Sequence, residues 1–215
     1  MSIEASKPRP GPAPGTGRGE TRGEILRQAE LIFAKVGFAG ASLDMIADEV
    51  GIRRPSVLHH FGSKREIFDR VEQAIFEDLA DRVEQAVAVR ATPFDRLLAL
   101  LESWLDFMTA RPSAARIIMR NSSDLVARAA DPVQFAEHVV AQFEAIVQEG
   151  RASGDFRPID PALALNLLGG GVIFYACNPE QLGAGRQYDL ADGGRLSEFR
   201  DLLRRSAAAM LLAGD

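Results

Sequence analysis

Hydrophobic residues recur along most of this chain at spacings of three and four, which is the repeat of an amphipathic helix. The clearest stretch runs from 43 to 50, and its apolar positions are Leu43, Ile46, Ala47 and Val50. Gly51 is expected to end this helix, because glycine readily adopts the left-handed conformation that turns the chain. Pro55 suits the first turn of a following helix, since its φ is already helical and it has no amide hydrogen to leave unpaired. The pattern predicts two short helices around a tight turn, with Val57 and Phe61 on the inner side of the second.

Further helices are predicted where capping side chains precede an apolar repeat. Thr21 and Glu24 form a capping box that opens a helix ending at Gly37, and a second capping box lies at Ser63 and Glu66. The helices that follow it are expected at about 64–90, 93–110, 112–121, 132–152, 161–176 and 196–213. No stretch alternates convincingly with period two. The sequence therefore predicts an all-α fold of about nine helices.

The helix expected at 161–176 contains three consecutive glycines, Gly169 to Gly171. Each glycine inside a helix costs about 1 kcal/mol relative to alanine, so the triplet needs a reason. Either the helix breaks there, or another backbone approaches too closely for a side chain. The segment 177–195 is expected to be a long loop between two strongly apolar helices.

The outward side of the second short helix is basic. Its members are Arg53, Arg54, Ser56, Leu58, His59 and His60, and Lys64 and Arg65 follow. The stretch 53–65 holds four Lys/Arg and no acid. Arginines can bind guanine edges or phosphates, and an apolar group can contact a thymine methyl, so this surface suits a DNA major groove. A solvated basic face on an ordinary helical hairpin is the alternative interpretation at this point.

Charge is distributed unevenly along the 215 residues, whose formal net charge is −5. Residues 1–70 carry 11 Lys/Arg against 9 Asp/Glu, whereas residues 71–215 carry 14 against 21. The basic end would be attracted to DNA and the acidic remainder repelled by it. Residues 1–19 are rich in proline and glycine and are expected to be a disordered basic leader. The single cysteine, and the absence of a signal peptide or an apolar run of membrane-spanning length, predict a cytoplasmic protein with no membrane contact.

The sequence offers little for catalysis. His59 and His60 are adjacent and point to different faces of a helix, which does not suit joint metal ligation or a proton relay. His138 and Cys177 have no complementary catalytic partner near them in the sequence. No enzyme activity, catalytic residue, metal or cofactor is predicted, and an enzyme would require assembly of residues distant in sequence.

The run from Thr21 to about Phe68 resembles the DNA-binding domain of the tetracycline-repressor-like (TetR) family of bacterial transcription regulators. The resemblance rests on ILRQAELIFAKVGFAGASLDMIADEVGI, then a basic pair, Pro55-Ser56, two histidines, Phe61 and Ser63-Lys64. It implies base or phosphate contacts at Ser42, Arg54, Pro55, Ser56, His60 and Lys64. Leu58 departs from the family pattern, which usually has a tyrosine that reaches a phosphate.

Because leucine has no hydroxyl, Arg53, Arg54 and His59 are expected to take more of the phosphate contact. The predicted DNA-binding residues are therefore Ser42, Arg53, Arg54, Pro55, Ser56, Leu58, His59, His60 and Lys64. The resemblance also implies a homodimer and an effector cavity in the larger domain. Candidate ligand-binding residues are Trp104, Phe107, Met108, Arg116, Met119, Arg120, Phe135, His138, Asn166 and Phe174.

The resulting prediction divides the chain into three parts. A leader at 1–19 precedes a three-helix helix-turn-helix head at 20–68, and a ligand-binding and dimerisation domain occupies 69–215. The predicted function is a ligand-responsive repressor that binds a palindromic operator in double-stranded DNA as a homodimer. A small apolar or amphipathic effector would release it. The alternative is a helical small-molecule-binding or scaffolding protein without specific DNA binding.

Overall fold

The computed structural model describes residues 17–123, 136–179, 185 and 187–212. These residues form nine helices and no strand, with one isolated bridge between Phe156 and Leu212. The helices are α1 (Arg18–Gly40), α2 (Leu43–Val50), α3 (Arg54–His60), α4 (Lys64–Ala88), α5 (Pro93–Ala110), α6 (Pro112–Ser123), α7 (Glu137–Ser153), α8 (Pro161–Cys177) and α9 (Gly193–Leu211). The all-α prediction is confirmed. Within the described ranges, no helix is both long and apolar enough to span a bilayer.

The chain divides into two compact units, Met1–Val71 and Glu72–Asp215. Unit 1 contains α1, α2, α3 and the start of α4. Unit 2 contains the rest of α4 and the helices from α5 to α9.

The start of α1 differs from the sequence-based expectation. The helix begins at Arg18, and the Glu20 carboxylate accepts a hydrogen bond from the Gly17 amide at 3.0 Å. The capping box expected at Thr21 is therefore wrong, and Glu24 instead accepts hydrogen bonds from Arg27. Of the leader expected at 1–19, residues 1–16 lie outside the described ranges, while residues 18 and 19 belong to α1.

The core of unit 1 is built from apolar residues on all four of its helices. Phe33 of α1 packs edge-on against Phe68 of α4, with their ring centroids 4.9 Å apart. Ile46 of α2 and Val57 of α3 are fully buried. The backbone takes a left-handed φ of 74° at Gly37, where the helix had been expected to end. This kink lets α1 turn toward α2 without a clash that a side chain would cause.

In unit 2, α5 packs against α6, α7, α8 and α9. Its start was predicted correctly, because Pro93 opens the helix and the Thr92 hydroxyl accepts from the Asp95 amide at 3.1 Å. The start expected at 132 for the next long helix lies outside the described residues, and α7 is seen from Glu137. The last helix, α9, begins three residues before the expected 196 because Asp192 caps it through the amides of Gly194 and Arg195.

The glycine triplet does not break α8, which runs without interruption to Cys177. A Cβ built at Gly169 would lie 2.8 Å from Cζ3 of Trp104, whereas one at Gly170 or Gly171 would meet nothing within 4 Å in this chain. Within a single chain, close approach therefore explains Gly169 alone. The approaching group is an indole side chain of the same chain and not the backbone of another helix.

Candidate DNA-binding surface

The turn between α2 and α3 is held by local hydrogen bonds. The Ser42 hydroxyl caps α2 by accepting from the Met45 amide at 3.1 Å. Gly51 takes a left-handed φ of 75°, and the following amide of Ile52 donates to the Ala47 carbonyl at 3.0 Å. This is the turn expected from the sequence, and it fixes the direction in which α3 leaves α2.

Helix α3 is anchored on its inner side and at its end. Val57 and the adjoining Phe61 are buried as predicted. Arg22 of α1 donates from Nη1 to the His60 carbonyl at 2.7 Å, and its guanidinium carbon lies 4.1 Å from the centre of the Phe61 ring. Sequence reasoning missed Arg22, because the residue it holds is 38 positions away.

The outer side of α3 gathers most of the predicted DNA contacts on one surface, here called the α3 surface. Its members Arg53, Arg54, Pro55, Ser56, Leu58 and His59 are exposed, and His60 is partly buried at its edge. Leu58 is 40% exposed and lies on the same side as these polar residues. Cationic, hydroxyl and apolar groups thus lie side by side, which is the combination that reads base edges and phosphates. Ser42 is half-buried, and its hydroxyl is used as the α2 cap.

Arg54 makes an ion pair with Asp44 of α2, with Nη1 and Oδ2 3.3 Å apart. Both side chains are more than half exposed, so the pair contributes at most about 1 kcal/mol. A phosphate or a guanine can displace such a weak partner. In the absence of DNA, the ion pair holds the Arg54 side chain against α2.

Lys64 has a structural role that the sequence did not reveal. Its Nζ donates to the carbonyls of Phe38 and Ala41, both at 2.7 Å, and lies 4.4 Å from the centre of the Phe38 ring. An ammonium has three N–H donors, so one remains for the predicted phosphate contact. The start of α4 is capped by Ser63 as expected, but the carboxylate of Glu66 reaches the Gly62 amide, at 2.8 Å, and not that of Ser63.

The electrostatic surroundings of His60 are positive. Burial, His59, Arg18 and Arg22 together lower the pKa of the His60 imidazole below its ordinary value, in that order of importance. The His59 and His60 rings meet edge-on with centroids 5.8 Å apart. The first turns of α1 therefore extend the cationic character of the α3 surface, through two arginines that sequence reasoning had not assigned to it.

The predicted ligand contacts of unit 2 fall into two groups. Trp104, Phe107 and Met108 are buried, and Met119 is half-buried. The exposed group consists of Arg116, Arg120, His138, Asn166 and Phe174. His138 lines an open groove of about 570 Å³ beside Glu137. Phe135 lies outside the described residues. The exposed group therefore does not share the interior position of Trp104.

Comparison with known proteins assigns the family. The signature of bacterial regulatory proteins of the tetR family matches residues 25–71, and that of the tetracyclin repressor-like C-terminal domain matches residues 90–175. The chain belongs to the TetR family. The fold and the family that the sequence predicted are thereby confirmed, and the family is one of bacterial regulatory proteins.

Two TetR-family relatives from Mycolicibacterium smegmatis illustrate the range of similarity. The transcriptional activator FasR is 34% identical over 104 residues, which are 48% of this chain and 48% of FasR. The chain thus matches about half the length of FasR. The transcriptional repressor KstR2 is 29% identical over 143 residues, covering 64% of this chain and 68% of KstR2. Both relatives are regulators of transcription.

Solved structures show the same fold over nearly the whole chain. The ketosteroid transcriptional regulator KstR2 of Mycobacterium tuberculosis superposes with a TM-score of 0.69 at 20% identity, covering 90% of this chain and 95% of that one. The fatty acid degradation regulator FadR from Bacillus halodurans gives a TM-score of 0.68 at 17% identity, covering 87% and 96%. At these identities the similarity establishes the TetR-family fold alone.

Proposed function

We propose that this protein is a repressor that binds a palindromic operator as a homodimer and is released by an apolar or amphipathic effector. The observation that carries the proposal is the α3 surface, which is exposed and cationic while its inner side is anchored by Val57, Phe61 and Arg22. An anchored helix with exposed arginines is what major-groove recognition requires.

Each proposed DNA contact follows from what its side chain can donate or pack. Arg53 and Arg54 bind guanine edges or phosphates, and Ser56 donates its hydroxyl. Leu58, which cannot bind a phosphate, packs on a thymine methyl or a sugar. Phosphates are bound by His59, His60 and the third N–H of Lys64. Ser42 and Pro55 position the backbone at the starts of α2 and α3.

The homodimer is proposed from an unpartnered apolar stripe on α8. Leu163 and Leu167 are each 66% exposed and Phe174 is 50% exposed, and the exposed Gly170 lies between them at helical spacing. Leu202 on α9 is 48% exposed. Exposed apolar side chains aligned along one helix favour an interface. Because Gly170 has no side chain, a second helix can come close at this position. The occupant proposed is a second copy, because two-fold symmetry would place two α3 surfaces on a palindrome about 34 Å apart.

The effector is proposed to bind in unit 2, where α5 supplies the buried Trp104, Phe107 and Met108 and α6 supplies Met119. An apolar interior of this kind suits an apolar or amphipathic molecule. The effector lowers operator affinity only as far as it binds more tightly to the conformation that does not fit DNA. Repression is preferred to activation because the KstR2 repressor aligns over more of the chain than the FasR activator does.

Selection of duplexes from a random library by the purified full-length chain tests this function. The proposal requires an enriched palindrome with half-sites about one helical turn apart, bound more tightly than unrelated DNA. The exposed Arg54→Ala variant should bind that palindrome about tenfold more weakly and discriminate less between bases at one position of each half-site. If no duplex is enriched, the proposed function is contradicted. The alternative is then a helical ligand-binding or scaffolding protein without specific DNA binding.

A further inference from the structure

The indole N–H of Trp104 is a buried donor without an acceptor. Trp104 is 6% exposed, and its Nε1 is inaccessible to solvent and makes no hydrogen bond. More than about nine in ten buried polar groups in proteins are paired. An unpaired donor in an apolar interior loses its hydration and gains nothing in return, so it calls for a partner.

The indole cannot turn to find that partner. Its Cζ3 lies against Gly169 of α8. A Cβ atom added at Gly169 would be only 2.8 Å from this carbon. On α7, Phe143 stacks beside it at a centroid distance of 6.2 Å and an interplanar angle of 26°. The ring, which extends from α5, is held between α7 and α8, and this packing fixes the direction of Nε1–H.

Two further unpaired polar atoms lie on the helices that pack around Trp104. The Gln142 carbonyl oxygen on α7 and the Tyr175 hydroxyl on α8 are also inaccessible to solvent and have no hydrogen-bond partner. Helices α5, α7 and α8 pack on one another. Unit 2 therefore keeps donors and an acceptor unsatisfied within a single set of helices.

Among the described residues, no buried lysine or arginine accompanies these groups. The buried polar or charged side chains in the same ranges are Glu30, Glu72 and Asn178. A carboxylate or phosphate brought to Trp104 would lose its hydration without gaining a buried cation. The exposed positions of Arg116 and Arg120 agree with this.

We propose that the effector of this regulator carries an uncharged oxygen acceptor on an apolar body, and that this oxygen accepts the hydrogen bond of Trp104 Nε1–H. An ester, ketone or alcohol meets the description, and a free acid does not. The inference rests on the proposed function, since it specifies the effector that unit 2 binds. Operator selection tests that function without any ligand, so the two can fail separately.

The chain has a single tryptophan, so a ¹H–¹⁵N spectrum of the full-length protein contains one indole signal that reports this atom directly. The probes are methyl octanoate and 1-octanol, compared with n-octane and sodium octanoate. Methyl octanoate or 1-octanol should move the indole proton downfield and slow its exchange with solvent. n-Octane should cause no downfield shift, and octanoate should bind at least tenfold more weakly than the ester.

Trp104→Phe tests the role of the indole donor, because the substitution removes the N–H and keeps an aromatic ring. It should weaken methyl octanoate binding by about tenfold in calorimetry. Tyr175→Phe, which removes the other unpaired donor, should leave that affinity within about twofold. Unchanged affinity in Trp104→Phe, failure of both oxygenated probes to bind wild type, or tightest binding by octanoate would each overturn the proposal. Should Trp104→Phe fail to fold, the indole shift in wild type decides the question.

Discussion

Arg22 donates a hydrogen bond to the carbonyl of His60 at 2.7 Å and thereby ties the last turn of α3 to α1. The last carbonyls of a helix have no partner within it, so this bond satisfies a group that would otherwise depend on water. The same guanidinium stacks on Phe61, the residue that closes α3. The angle at which the α3 surface is presented therefore depends on a residue that belongs to another helix.

Arg22→Ala should destabilise unit 1 and weaken operator binding together. The loss of a partly buried charged hydrogen bond and of the contact with Phe61 should lower the free energy of unfolding by about 1–3 kcal/mol. Urea unfolding measures the first effect and fluorescence anisotropy with a labelled operator the second. Arg27→Ala is the control, because Arg27 is exposed and pairs with Glu24 of the same helix. Equal behaviour of the two variants would contradict the anchoring role of Arg22.

Lys64→Ala should affect both stability and DNA binding, whereas Arg53→Ala should affect DNA binding alone. Lys64 holds two carbonyls at the α1–α2 junction, so its removal should lower the free energy of unfolding by about 2 kcal/mol and also flatten the salt dependence of operator binding by about one unit. Arg53 is exposed and makes no side-chain cap, so its removal should weaken DNA binding and leave stability nearly unchanged. A salt slope unaffected by Lys64→Ala would show that Lys64 is structural only.

Gly169→Ala and Gly171→Ala separate close packing from helix propensity. A Cβ at 169 meets the fixed Trp104 ring, so this variant should lose about 1–3 kcal/mol of stability through overpacking. A Cβ at 171 meets nothing within 4 Å and should add up to about 1 kcal/mol, because alanine is the better helix former. Thermal unfolding of the two variants gives the comparison. Stabilisation by Gly169→Ala would mean that the indole is free to move.

The depressed pKa of His60 makes stability depend on pH. Because the folded chain lowers this pKa below its ordinary value of 6.5, the unfolded chain binds more protons in the range just below that value. The contribution of His60 to the free energy of unfolding therefore rises with pH in that range and levels off above it. His60→Gln should reduce this slope in urea titrations carried out at pH values just below 6.5. His138→Gln, at an exposed position, serves as the control, and equal slopes in wild type and His60→Gln would contradict the assignment.

Much of the fold was predictable because its signals are local. Thr92 and Pro93 mark the start of α5 through groups within a few residues of each other, and Gly51 marks the turn before α3. The start of α1 was missed because Gly17 has no capping side chain to recognise. Asp192 was missed as a cap because two glycines follow it, which suggested a loop.

The site was less predictable, because its supports act across the sequence and through backbone atoms. The carbonyls that Lys64 binds, at Phe38 and Ala41, leave no trace in residue types. Helix α8 is apolar on nearly all sides, so periodicity could not show that Leu163 and Leu167 lie on its open side. For the same reason the sequence could not show that Phe174 is exposed while its neighbour Tyr175 is buried.

The claim that two α3 surfaces read one operator is tested most directly by measuring how many chains bind each duplex. The wild-type chain and Leu167→Glu are compared on a selected palindrome and on its half-site. The charge would lie in the middle of the apolar stripe on α8, so Leu167→Glu should sediment as a monomer while staying folded. Val89→Glu, at a position 77% exposed outside the stripe, should stay dimeric. We expect two wild-type chains per palindrome, and binding of Leu167→Glu to the palindrome no tighter than to the half-site. A wild-type chain that binds as a single copy, or binds both duplexes equally, would contradict the claim that two α3 surfaces read the operator together.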